Sequence, residues 1–151
     1  MTEVHEALRR WAKGLSLEAG VELLIHAFDG RFANPSQPWV QQGDDPGWWW
    51  IDVGQMTEDN YGALSGGETR LLRIAASLLD GLPVDLSRNL AGLDREHAEL
   101  VLAAISHASG THEQSGPLIP DPQGRYVGRA GVRMSFQRLD GLYPWPSGGL
   151  A

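Results

Sequence analysis

A change of period in the apolar residues divides this sequence. Up to Gly110 they recur at three- and four-residue spacing in segments with recognisable caps, whereas in RYVGRAGVRMSFQ, residues 125–137, they alternate with polar ones. The first spacing places apolar side chains on one face of a helix, and the second places them on one face of a strand.

The helical segments read as follows. Val4, Leu8, Trp11 and Leu15 share a face and predict a helix over 3–13 closed by Gly14. Ser16 is a suitable cap and Glu18 suits a first turn, so Leu17, Val21, Leu24, Ile25 and Phe28 predict a second helix ending at Gly30. Leu71, Leu72, Ile74, Ala75, Leu78 and Leu79 form the wide apolar face of a third, ended by Gly81 and Pro83. Asp94 caps a fourth, expected to turn Val101, Leu102 and Ile105 inward until Gly110.

Between the second and third helices, Asn34-Pro35, Gln37-Pro38, Asp44-Asp45-Pro46-Gly47 and Asn60-Tyr61-Gly62 are turn chemistry. Trp48-Trp49-Trp50-Ile51-Asp52-Val53 lies among them and reads as a short strand, paired near Trp39-Val40. In the tail, Tyr126, Ala130, Val132, Met134 and Phe136 alternate with Arg125, Arg129, Arg133, Ser135 and Gln137, a half-buried ribbon with an arginine face. The expected fold is therefore α+β and mainly α: about four helices in one core, a Trp-rich strand and a C-terminal β hairpin or ribbon.

Charge follows the same division. Residues 1–115 carry 17 acidic and 8 basic side chains, and residues 116–151 carry 2 acidic and 4 basic. This predicts an acidic, mainly helical body and a mildly basic ribbon that docks on that body or on a partner. So acidic a body lacks the phosphate-neutralising cations that direct DNA binding uses. With no cysteine, thiolate metal sites and disulfides are excluded, and with no long apolar run neither export nor a membrane span is expected; a cytoplasmic location fits both.

LSGGETRLLRIAASLL, residues 64–79, resembles the signature helix of ABC-type ATPases, and PVDLSRNLAGLD after it is similar to their Pro-to-D-loop stretch. The resemblance covers about thirty residues. Such an ATPase also needs a glycine-rich loop ending in Lys-Ser/Thr and an apolar strand ending in Asp-Glu, whereas the single lysine here is Lys13, in Ala12-Lys13-Gly14. Helix initiation explains the same letters: Ser65 and Glu68 form a capping box, with Leu64 as its staple residue. Gly66 and Gly67 leave that helix start open to an anion, a weaker functional reading with Ser65.

Other chemistry is sparser. His107, His112 and Glu113 offer metal-ligand atoms at a helix end, at a spacing that does not itself fix a site. Glu22 and His26 lie one turn apart and read as a solvated helix face rather than an acid/base pair. Trp48 and Trp50 would share one strand face and Trp49 the other; with Trp145, held between two prolines, and the Arg125/Arg129/Arg133 face, they form a candidate contact surface. The expected function is a non-enzymatic, cytoplasmic interaction module, self-associating or binding another protein, with no cofactor. The alternatives are a metal-assisted hydrolase or transferase using His107, His112 and Glu113, and an acidic inhibitor of a nucleic-acid-binding protein.

Overall fold

The computed structural model describes residues 2–147 and is α+β, as the change of period implies. Helix α1 (Thr2–Trp11) is amphipathic and stops two residues earlier than its apolar spacing suggests. Gly14 then adopts φ 107°, a conformation open to glycine, and α2 (Leu15–His26) begins directly after it. Ser16 therefore does not cap α2. Its hydroxyl instead donates to the Leu78 carbonyl at 2.7 Å and ties α2 to the neighbouring helix.

Helix α2 is the centre of the body. It buries Ala19, Gly20, Val21, Leu23 and Leu24 between α4 (Gly66–Asp80) and α6 (Arg95–Ala108). A Cβ on Gly20 would stand 2.6 Å from Leu79 Cγ, so this glycine sets how closely α2 and α4 approach. The expected continuation of α2 to Gly30 does not occur. Phe28, Asp29 and Gly30 turn left-handed, at φ 50°, 56° and 74°, inside a tight segment over Ala27–Ala33. This turn lays Phe28 on His97 of α6, with ring centroids 4.1 Å apart.

Trp39 is fully buried, and its indole N–H donates to the Phe32 carbonyl at 2.9 Å. A core indole needs such a partner, and the turn-rich stretch before it supplies one. Strand β1 (Val40–Gln42) pairs antiparallel with β2 (Trp49–Ile51), with Val40 opposite Ile51 and Gln42 opposite Trp49. Helix α1 packs against β2. The short helix α3 (Glu58–Tyr61) overlaps the Asn60-Tyr61-Gly62 turn read from sequence, and α5 (Leu86–Leu90) forms in the stretch between the third and fourth expected helices, to which the sequence pattern assigns no element.

Helix α4 starts at Ser65, whose hydroxyl accepts the Glu68 N–H at 3.3 Å. The return half of the capping box is replaced: the Glu68 carboxylate pairs with Arg31. Asp94 caps α6 through the His97 N–H at 2.8 Å. The buried seam of α6 runs through His97, Leu100, Val101 and Ala104, while Leu102 and Ile105 are 43% and 48% exposed. The inward assignment of Leu102 and Ile105 is thus corrected. The helix is rotated so that Ala103 and Ala104 meet the body, which lets α2 and α6 pack closely.

After α6 the chain forms a three-stranded antiparallel sheet in the order β3-β5-β4, from β3 (Gln114–Pro120), β4 (Tyr126–Val127) and β5 (Arg133–Leu139). Leu118 faces Phe136, Tyr126 faces Met134, and an extra residue in β3 bulges between Ser115 and Leu118. Among the described residues no helix is long and apolar enough to cross a membrane.

Candidate functional site

Two places concentrate chemistry: a cleft where α1, α2 and the end of α6 meet, and the exposed C-terminal sheet. In the cleft, Arg9 of α1 donates to both carboxylate oxygens of Glu22 on α2, at 2.6 and 3.2 Å. His26 lies 3.2 Å from the same carboxylate. Burial alone pushes the Glu22 carboxyl up, but the hydrogen bonds from His26 and Arg9 outweigh it and hold the pKa down at about 2. Glu22 and His26 are therefore not a solvated face; Glu22 clamps α1 to α2.

The tail completes this region. The Leu142 N–H donates to the Thr111 carbonyl at 2.9 Å and the Tyr143 N–H to the Ser106 hydroxyl at 3.3 Å. Trp145 then lies stacked on His26, with centroids 4.9 Å apart, and its indole N–H donates to His107 Nδ1 at 3.1 Å. An indole only donates, so Nδ1 of His107 carries the lone pair and Nε2 the proton, facing Glu18 at 3.4 Å. Trp145 is thus packed within its own chain, which corrects its reading as an exposed anchor.

His107 and His112 stack nearly parallel, 3.9 Å between centroids and 8° between planes. Together with Arg9, Glu18, Val21 and Glu22 they line a cleft of about 330 Å³, to which Glu113 also contributes. The three residues read as metal ligands are brought near one another, but not into a ligand set. Stacked rings direct their lone pairs alongside each other rather than at one point, and both His107 nitrogens are already engaged. Among the described residues no group of three or more His, Cys, Asp or Glu side chains is placed to hold a metal ion.

The tryptophans separate. Trp49 packs against the core, Trp50 is half-buried in a shallow cleft with Trp11, Leu17 and Leu79, and Trp48 is exposed where the hairpin turn rejoins β2. They do not form one surface. At the start of α4, Gly67 has open space around it, whereas the Arg70 guanidinium lies over Gly66. The Glu68 carboxylate already brings negative charge to this helix start alongside the Ser65 cap.

The sheet differs from the expected half-buried ribbon. Leu118, Tyr126 and Phe136 lie on one face by register, and they are 41%, 51% and 48% exposed. Tyr126 meets Phe136 edge-on at 5.3 Å, so this face is a small aromatic patch rather than scattered side chains. Arg125, Arg129 and Arg133 are exposed, and Arg133 donates to the Gly124 carbonyl at 3.1 Å. Among the described residues none of these arginines, nor Arg138, is ion-paired to the acidic body. Leu118 was not singled out in the sequence, and Tyr126 and Phe136 read there as inward. The alternation marks which side chains share a face, but not whether anything covers it.

Comparison with protein-family models, with curated proteins and with solved structures finds no match to this chain.

Proposed function

We propose that this protein is a non-enzymatic, cytoplasmic interaction module whose C-terminal sheet is its contact surface. The observation that carries this reading is the uncovered face formed by Leu118, Tyr126 and Phe136. Exposed apolar patches of this kind on small domains mark protein contacts, and aromatic side chains dominate their binding energy. Pro117 and Pro120 in β3 remove backbone donors from the outer strand, which favours packing on the face over strand addition at the edge. The histidine cleft supports a structural role, because Trp145 and Glu18 engage both nitrogens of His107. The cytoplasmic placement rests on the lack of cysteine in the sequence.

The test is photo-crosslinking in the native host, with p-benzoylphenylalanine replacing Phe136 or, as a control, Asp80 on the body. A discrete protein adduct at 136 and none at 80 is expected. Absence of any adduct at 136, in cells that accumulate the folded protein, would overturn the reading.

A further inference from the structure

A further cleft runs along α4, between α3 on one side and residues 82–85 with α5 on the other. It consists of two joined hollows of about 280 and 320 Å³, which share Glu58, Tyr61 and Arg73. The first is polar and holds Gly66, Thr69 and Arg70 from the start of α4. The second has apolar walls, formed by Met56, Leu82, Pro83 and Val84. A cleft of this size with apolar walls and a few convergent polar groups is the usual form of a small-molecule site.

Two polar groups in it have no partner within the chain. Arg70 is half-buried and its guanidinium lies over Gly66 and against Gly92, where a side chain would collide with it. Among the described residues it has neither an ion pair nor a hydrogen bond, although a guanidinium carries five donors. Tyr61 is only 4% exposed, yet among the described residues its hydroxyl bonds to nothing. Buried tyrosines ordinarily find such a bond. The charges of Glu58 and Arg73 both act on this hydroxyl, which places it beside their ion pair where the two hollows join; burial pushes its pKa up to about 12, so it keeps its proton and can donate it in a hydrogen bond.

We propose that this cleft binds a small monocarboxylic acid with an apolar body: Arg70 and the Tyr61 hydroxyl hold the carboxylate, and the body lies against Met56, Leu82, Pro83 and Val84. Charge selects a monoanion. Glu58 takes both free edges of Arg73, at 2.9 Å each, and neutralises it, which leaves Arg70 as the cation without a carboxylate. A second negative charge, as on a phosphate monoester, would face Glu58 uncompensated. A guanidinium fork matches a carboxylate in geometry, and the apolar wall distinguishes an acid with a hydrocarbon body from acetate. The site lies apart from the C-terminal sheet and does not rest on its role in contact.

The test follows backbone amide shifts of the full, isotope-labelled chain by NMR, with benzoate as the probe. Benzoate is expected to bind saturably, with a Kd in the millimolar range or below, and to shift residues 56–62, 66–73 and 82–89 while leaving 114–139 unmoved. Acetate, which lacks the body, benzamide, which lacks the charge, and the Arg70→Gln chain with benzoate should each bind at least about tenfold more weakly. Tyr61→Phe removes a hydroxyl that bonds nothing in the chain, so its Tm should equal or exceed that of the wild type while benzoate binding weakens about threefold or more. Absence of saturable shifts in these segments, or full-strength binding to Arg70→Gln, would overturn the site. A lowered Tm in Tyr61→Phe would show that the hydroxyl is already bonded within the fold and would overturn its role, and tighter binding of phenyl phosphate than of benzoate would overturn the selection of a monocarboxylate.

Discussion

Trp39 and Glu22 carry more of the structure than their sequence surroundings advertise. Trp39 sits between two turn-forming stretches, yet it is fully buried with its N–H bonded to Phe32 and its ring edge-on to Tyr61. Trp39→Ala removes the side chain and leaves a carbonyl without its donor. A loss of about 3–5 kcal/mol follows, or roughly 10 °C in Tm by calorimetry, with the larger value if the cavity does not collapse. Glu22 contributes in a pH-dependent way. Its folded-state pKa of about 2 lies below the ordinary 4.5, so its stabilisation is fully present above that ordinary value and is lost as pH falls toward 2. Glu22→Gln should lower stability at pH 7 and flatten the acid limb of the denaturation profile; an unchanged limb would show that the Arg9 clamp is not formed.

Element boundaries were legible where a side chain and a backbone group decide them locally. Ser65 and Asp94 were readable as caps because each has its acceptor oxygen ahead of an apolar helix, and both cap in the structure. Ser65→Ala should cost about 1 kcal/mol, measured by urea denaturation, without altering the C-terminal sheet. Less legible were features set by neighbours in space. The end of α2 is fixed by the contact of Phe28 with His97, about seventy residues on, and the rotation of α6 by small residues that face α2. The same limit applies to Trp145. Between two prolines it reads as exposed, and only the fold brings His26 and His107 to it. Trp145→Ala should release residues 141–147, seen as faster hydrogen exchange there, while helical circular dichroism is preserved; unchanged exchange would mean that Leu142 and Tyr143 suffice to hold the tail.

Over the whole molecule, the division between a helical body and a β tail was visible from periodicity and charge alone. The body gathers its buried apolar residues in one core and leaves Leu82, Leu86, Leu90, Leu102 and Ile105 exposed. The tail is latched to that body at residues 142–145 and yet leaves a sheet face open. Alternation reports two faces without reporting what each one meets, so the outward aromatic patch could not be read before the fold. The same limit holds for the outward stripe of α6, where a shift of one residue in the seam exchanges Leu102 and Ile105 for Leu100 and Ala104. A small domain that leaves an aromatic sheet face open is suited to contact through that face.

Hydrogen–deuterium exchange of the wild-type chain, compared in buffer and in concentrated extract of its own host, tests that claim most directly. The account predicts slower exchange in the extract over residues 114–139, with the helical body unchanged. Identical exchange over 114–139 in the two conditions would contradict it.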